Sequence, residues 1–239
     1  MVSIFRRIKG FLTNTCTVCK KEGVLAGLCF VIEVSPFAYW YQKLFRSHRK
    51  FQFQGESYPY FYHPYNVTWR NERCVEISLA RKVLEGKRIL EVGNVLSHYF
   101  PVSHDVLDKY EKGNGVINED VVTFKPGKQY DLIVSVSTLE HVGWDEKPRT
   151  RMKILPALKN LESLLAPKGN LFVTLPLGYN KDIDTLVKQG KLPFTKQFYL
   201  QRVSTSNIWR EVTKKDVANA KYGKRFPFAN ELLIGIYEK

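Results

Sequence analysis

From residue 88 onward, short apolar runs alternate with segments of helical period, and that alternation restricts the chain to a mostly parallel α/β sheet. Residues 88–92 (RILEV), 105–110 (DVLDKY), a run opening at 115–118, 130–137 (YDLIVSVS), 170–175 (NLFVTL) and 232–237 (LLIGIY) read as strands. Ile154, Leu155, Leu158, Leu161, Leu164 and Leu165 recur at helical spacing, and Pro167-Lys168-Gly169 turns that helix into the next strand. In such a sheet, ligands bind beyond the carboxyl ends of the strands, near the point where strand order reverses.

Upstream, Asn71 is placed to cap a helix that runs to Leu84, with Val75, Leu79 and Val83 on one face and Gly86 ending it. Residues 51–69 are rich in aromatic side chains. Two readings stand: Tyr58, Tyr60, Tyr62, Tyr65 and Trp69 form a face for sugars or bases, or they fill a seam over the main domain, the commoner use of such rings. The chain thus divides into a basic helical extension (1–50), an aromatic connector with its helix (51–87) and the α/β domain (88–239).

The charge is uneven. The formal net charge is +14, and residues 1–50 hold nine basic groups against two acidic ones. A second basic run is Lys214, Lys215, Lys221, Lys224 and Arg225. Such a balance suits a polyanionic surface, or simply a solvated face. Ile4, Phe5, Ile8, Phe11 and Leu12 follow helical spacing with Arg6, Arg7 and Lys9 between them, the pattern of a basic amphipathic helix. Residues 23–32 are apolar but too few to span a bilayer, and Glu33 and Pro36 separate them from 37–41. The expectation is a cytoplasmic protein without a signal peptide, its start forming a docked or surface-associated helical hairpin first and a membrane anchor second, with residues 1–41 the place of any peripheral contact at the inner face of the membrane. Cys16-Thr17-Val18-Cys19 is a lone pair with no partner pair, and Cys29 and Cys74 are isolated, so no metal site is read.

The residues Leu90-Glu91-Val92-Gly93, Val106-Leu107-Asp108, Asn118-Glu119-Asp120, Tyr130-Asp131-Leu132-Ile133-Val134, Leu139-Glu140-His141-Val142 and Leu164-Leu165-Ala166-Pro167-Lys168-Gly169 stand in order along the chain. This series resembles the successive motifs of class I S-adenosylmethionine-dependent methyltransferases. The wording after the first and fourth strands looks like methyltransferases encoded beside genes for glycan and cell-surface assembly. The resemblance implies a Rossmann-like, mostly parallel seven-stranded sheet with helices on both faces. It also implies S-adenosyl-L-methionine as cofactor, with Glu91 organising the first loop, Gly93 letting the backbone approach the methionine end, Asp108 accepting from the ribose hydroxyls and Asp120 meeting the adenine amino group.

The sequence departs from that pattern. Val95 and Ser97 stand where the family's loop has glycines, and Gly93 lies fifteen residues before Asp108 instead of about twenty. With Pro101 between them, the first crossover shortens to about one helical turn, and residues 111–115 form a tight loop. Asn94, Ser97 and His98 are then expected to bind the cofactor's charged end in place of bare backbone. After the fourth strand, His141 is the candidate base, with Glu140 beside it, and Trp144 is placed to cover adenine or a sugar. Tyr179 and Asn180 are placed to orient the acceptor, or serve as turn residues.

The function expected is methyl transfer to a glycan, a glycolipid precursor or a small hydroxylated acceptor. The alternatives are a non-catalytic Rossmann-like scaffold and a basic nucleic-acid-binding module. Oligomeric state is not read from the sequence.

Overall fold

The computed structural model describes residues 31–32, 35–85 and 88–239. The amphipathic run at 4–12, Cys16, Cys19, Cys29 and most of the apolar stretch 23–32 lie outside the described residues. The chain divides into two units, one reaching His48 and taking in Tyr62–Val67, the other Arg49–Phe61 with Thr68–Lys239.

In the first unit, α1 (Pro36–Phe45) starts where the Ser35 side chain accepts from the Ala38 N–H at 3.2 Å and Pro36 occupies the first turn. Its Lys43 ammonium lies 5.4 Å from the Trp40 ring centre, a cation–π distance. Phe37, Trp40, Leu44 and Phe45 are exposed. Among the described residues, no helix is long and apolar enough to cross a membrane.

The second unit opens with a hairpin, β1 (Lys50–Phe53) against β2 (Glu56–Pro59). Gln54 and Gly55 both take positive φ, as a two-residue hairpin turn requires. Alternation buries Phe51 and Phe53 and leaves Gln52 outside. Phe53 meets Phe198 edge-on at 5.5 Å, and the buried Tyr60 hydroxyl accepts from the Trp209 N–H at 2.9 Å. Phe51, Tyr58 and Tyr60 therefore stack with one another and fill a seam.

The main sheet has eight strands: β3 (Ile89–Val92), β4 (Asp105–Leu107), β5 (Val116–Ile117), β6 (Tyr130–Val136), β7 (Leu165–Pro176), β8 (Lys196–Arg202), β9 (Trp209–Val212) and β10 (Glu231–Glu238). Their order is β5-β4-β3-β6-β7-β10-β8-β9. Pairings from β5 to β7 are parallel, whereas β10 is antiparallel to both β7 and β8, and β9 is antiparallel to β8. This is the expected Rossmann-like sheet with one more strand than the seven anticipated. The order reverses at β3, between β4 and β6, so the carboxyl ends there frame a crevice.

Helices cover both faces. Ile154, Ala157, Leu158 and Leu161 of α3 (Ile154–Leu164) and Ile183 and Leu186 of α4 (Lys181–Gln189) share a core with Ile133, Leu171, Val173 and Leu175. The alternate residues of β7 face the other way, where Thr174 meets Glu76 of α2 (Arg73–Val83). Asn71 contributes to the start of α2 by accepting from the Arg73 N–H at 3.1 Å. The first crossover holds only the short 3₁₀ turn Leu96–His98, and no helix stands between β4 and β5. One turn is absorbed into a strand. Pairing of β7 with β6 already begins at Tyr130↔Leu165, and Lys168, at φ 64°, marks an irregularity inside the strand instead of a separate loop.

Candidate ligand cleft at the carboxyl ends of the strands

A cleft of about 320 Å³ opens beyond β3 and β4, at the small end of the roughly 300–1,000 Å³ typical of small-molecule sites. Its apolar lining includes Val92, Leu107, Val121 and Val142. Asp108, Glu111, Glu119, Asp120 and Glu146 bring five carboxylates to it, against the single ammonium of Lys109. Gly93, Thr138 and His141 complete the wall. Val95, the residue best placed by sequence to plug the hollow, does not line it.

The first loop is held from beneath. Glu91 is fully buried; its Oε1 accepts from the Val95 and Leu96 N–H groups at 2.8 and 2.7 Å, and its Oε2 meets His104 Nε2 at 2.8 Å. A carboxylate with these partners shapes the loop that the missing glycines would otherwise form. Gly93 takes φ 90°, and a Cβ there would stand 2.1 Å from Thr138 Oγ1. The missing side chain therefore makes room for the loop after β6 to close on the loop after β3.

Asp108 ends β4 as a cap. Its Oδ2 accepts from the Asn94 N–H at 3.0 Å, and its Oδ1 from the Tyr110 and Glu111 N–H groups at 2.8 and 2.7 Å. Oδ1 thus has both lone pairs engaged, whereas Oδ2 keeps one for a further donor. The Asn94 side-chain amide donates to Glu111 Oε1 at 2.8 Å, Ser97 Oγ donates to Asn94 Oδ1, and His98 Nε2 lies 3.0 Å from the same Glu111 oxygen. Of the residues expected to hold a cofactor's charged end, Asn94 and His98 reach Glu111 and Ser97 reaches Asn94, and none of the three lines the cleft.

Asp120 forms a charged square with Lys109 (2.9 Å), Lys153 (2.7 Å) and, through them, Glu146 (3.0 and 2.8 Å). Burial alone would raise the Asp120 carboxyl, but the hydrogen bonds from Lys153 and Lys109 outweigh it and hold it well below the usual range. Asp120, expected to receive an adenine amino group, thus already receives two ammonium groups.

His141 lies on the cleft wall with Nδ1 2.5 Å from Asp145 Oδ2. Asp145 also accepts from the Tyr179 hydroxyl at 2.7 Å. Burial would raise the Asp145 carboxyl; the His141 and Tyr179 bonds prevail and keep it low. Tyr179 stands edge-on to His141 at 5.1 Å and to Tyr222 at 5.2 Å, so three rings run outward from the cleft. Trp144 does not line the cleft; the Arg149 guanidinium lies 3.6 Å over its ring. Asn180 has its side chain committed inside the fold. Its oxygen caps α4 through Asp182 and Ile183, and its amide donates to the Glu140 carbonyl at 2.7 Å.

Glu140 is buried behind His141, with Oε1 3.5 Å from His141 Nε2 and Oε2 without a hydrogen-bond partner. Burial pushes its carboxyl well above the ordinary range. Nearby, Glu76 accepts from Ser137 Oγ, from Thr174 Oγ1 at 2.7 Å and from the Arg73 guanidinium at 2.9 Å. Arg73 and Glu76 pair locally at i,i+3 on α2, but they meet Ser137, Thr174 and the Val136 carbonyl only after α2 packs across β6 and β7, so the cluster gave no signal in the sequence. Lys109, Glu111 and Glu119 did have one, each lying within three residues of Asp108 or Asp120, and Glu146 follows Glu140 by six. Among the described residues, no group of three or more His, Cys, Asp or Glu side chains is arranged to hold a metal ion.

No protein-family model and no curated protein matches the chain. Solved structures do. The chain is similar to the N-methyltransferase NodS from Bradyrhizobium japonicum, crystallised with S-adenosyl-L-homocysteine (14% identity, 64% of this chain and 77% of that one, TM-score 0.40). It is similar to a SAM-dependent methyltransferase from Thermotoga maritima described as a possible histamine N-methyltransferase (14% identity, 69% and 87%, TM-score 0.42). A third is a TehB-like SAM-dependent methyltransferase from Corynebacterium glutamicum (19% identity, 67% and 85%, TM-score 0.37). With every TM-score here below 0.5, the fold is read from strand order and register, which make this a Rossmann-like α/β domain with its crevice beside Gly93.

Proposed function

We propose that the protein is an S-adenosyl-L-methionine-dependent methyltransferase acting on a hydroxylated acceptor, a glycan or glycolipid precursor. One observation carries the reading: in a chain of net charge +14, the crevice at the strand-order reversal gathers five carboxylates against one lysine. A lining of that sign attracts a cationic ligand and repels a polyanion, which argues against nucleic acid in this cleft.

The residues fit adenosine and a sulfonium. Leu107, Val121 and Val142 offer an apolar slot for a flat base, and Asp108 and Glu111 offer acceptors for ribose hydroxyls. When bound, the cofactor supplies an electrophilic methyl group. His141 is set to take the acceptor's hydroxyl proton, and Asp145 fixes the ring through Nδ1. Tyr179 and Tyr222 extend an aromatic edge on which a sugar ring packs. The exposed Phe37, Trp40, Leu44 and Phe45 of α1, beside Lys43, support peripheral membrane contact of the N-terminal segment.

Isothermal titration of the whole chain with S-adenosyl-L-homocysteine tests the reading. Micromolar binding is expected, weakened about tenfold in Asp108→Asn, the loss of one charge-assisted hydrogen bond. No heat from the parent chain would leave the empty-scaffold alternative standing.

A further inference from the structure

A second and larger cavity, about 400 Å³, lies between α4 and the segment that follows β9. Its lining includes Leu177, Val187, Val217, Ala218 and Ala220, with Lys188, Lys214 and Lys215 among them. Leu177 and Val217 are buried, and the three lysines are exposed. None of these lysines takes part in an ion pair among the described residues. The lining holds a single carboxylate, Asp184, which accepts from the Gly178 N–H at 2.9 Å. Burial raises the Asp184 carboxyl, against the Gly178 N–H and the nearby Lys188, which act to lower it.

The cavity has a fixed floor. Gly178, at φ 80°, lets residues 220–222 lie so close that a Cβ on it would meet the Tyr222 nitrogen at 2.6 Å. The segment after β9 is therefore seated on the loop after β7, and it carries Tyr222 into the row Tyr179–His141 on the far side. Thr213 and Asp216 close the start of that segment, the Asp216 carboxylate accepting from the Thr213 N–H at 2.8 Å.

We propose that this cavity is a binding site for an anionic amphiphile, a molecule with an apolar chain or ring and a phosphate or carboxylate head. The apolar body fills the slot bounded by Leu177, Val187 and Val217, and the head lies among Lys188, Lys214 and Lys215. Neither part suffices. An uncharged apolar ligand leaves three ammonium groups without an anionic partner, Lys214 reaching only the Lys188 carbonyl at 3.5 Å, and a bare anion on exposed lysines gains little against water. The site differs in sign and lining from the cleft beside Gly93, so it stands whether or not that cleft takes a cofactor.

The test is direct binding to the full-length protein, without cofactor, using decyl phosphate below its micelle concentration as the probe. Decanol and inorganic phosphate serve as the two halves. Decyl phosphate is expected to bind at least about tenfold more tightly than either half. Lys214→Glu/Lys215→Glu is expected to weaken it by about tenfold or more, as is Ala218→Phe, which fills the slot from an exposed wall. The equally charged control Lys159→Glu/Lys168→Glu, outside the cavity lining, is expected to leave it unchanged. Competition by phosphatidic acid vesicles that is lost in Lys214→Glu/Lys215→Glu assigns the ligand to a membrane. Decyl phosphate binding without vesicle competition assigns it to a soluble ester. Equal binding of decanol and decyl phosphate, or unchanged binding in both cavity variants while their melting temperatures match the parent, overturns the proposal.

Discussion

The two cavities of the α/β unit carry opposite signs. The cleft beside Gly93 sets five carboxylates against one lysine, whereas the cavity beside α4 sets three lysines against one aspartate. Both belong to a chain of net charge +14. Net charge therefore describes how the whole molecule meets a distant polyion, and it does not give the sign of a concave site. What differs is the support behind the charges. In the cleft, Asp108, Asp120 and Glu146 are locked by backbone donors or by lysines, so the potential is fixed in place. The lysines beside α4 stand on the surface and have no ion-pair partner among the described residues, so no carboxylate offsets their charge at close range.

Four substitutions break or sharpen this contrast, the largest effect first. Gly93→Ala is expected to close the cleft, since its Cβ meets Thr138 at 2.1 Å and φ is 90°. Overpacking and a left-handed backbone cost about 1–3 kcal/mol each. Urea unfolding should show that loss together with abolished cofactor binding. Adding Thr138→Gly should return the steric part and leave the backbone part.

Asp120→Asn comes next. The folded Asp120 carboxyl lies below its unfolded value, so its contribution to stability is fully present above the ordinary carboxylate range and disappears as pH falls toward the folded value. The variant is expected to melt lower at pH 7, and its deficit should shrink steadily below about pH 4. A deficit independent of pH would show that the lysines of the square do not act through charge.

Glu140→Gln carries the opposite sign. Burial raises the Glu140 carboxyl, so the folded chain keeps a proton that the unfolded chain releases, and stability falls as pH rises above the ordinary carboxyl range. Thermal melts between about pH 5 and 8, above the ordinary carboxyl range, are expected to decline less steeply in the variant than in the parent. Glu72, also raised by burial, supplies the decline that remains.

The smallest effect is a null that sharpens the contrast. Lys214→Glu/Lys215→Glu should reverse the sign of the second cavity and leave affinity for S-adenosyl-L-homocysteine within about twofold, because both lysines are exposed, screened by salt and outside the lining of the cleft beside Gly93. A large change in affinity would show that the two cavities share one electrostatic field.

Parts of the fold were open to reading along the chain. The strands β3, β6, β7 and β10 are apolar runs buried on both faces, and α3 follows one helical stripe. The short first crossover also followed from the interval between Gly93 and Asp108. The β1–β2 hairpin is encoded by Phe-Gln-Phe alternation and the Gln54-Gly55 turn, a short signal set within a segment whose density of aromatic residues equally suits ring stacking. The edge pair β8 and β9 gave a weaker signal, since Lys196, Gln197, Gln201 and Arg202 break up the apolar run. Within the site, Glu91, Gly93, Asp108, Asp120 and His141 could be named because Glu91 is the penultimate residue of β3 and each of the others follows a strand within five residues. Their partners could not.

By itself, the sequence determined the alternation of strands and helices, the end of the sheet that carries the site and the acids that terminate β3 and β4. Those features depend on local apolar period and on residues close along the chain. Tertiary structure alone decided that Thr138 occupies the space in front of Gly93, that Arg73 and Glu76 reach the ends of β6 and β7, and that two cavities of opposite sign form. Each of these needs side chains distant along the chain, such as Glu76 and Thr174, to meet, and such meetings are set by how whole elements pack rather than by any local pattern.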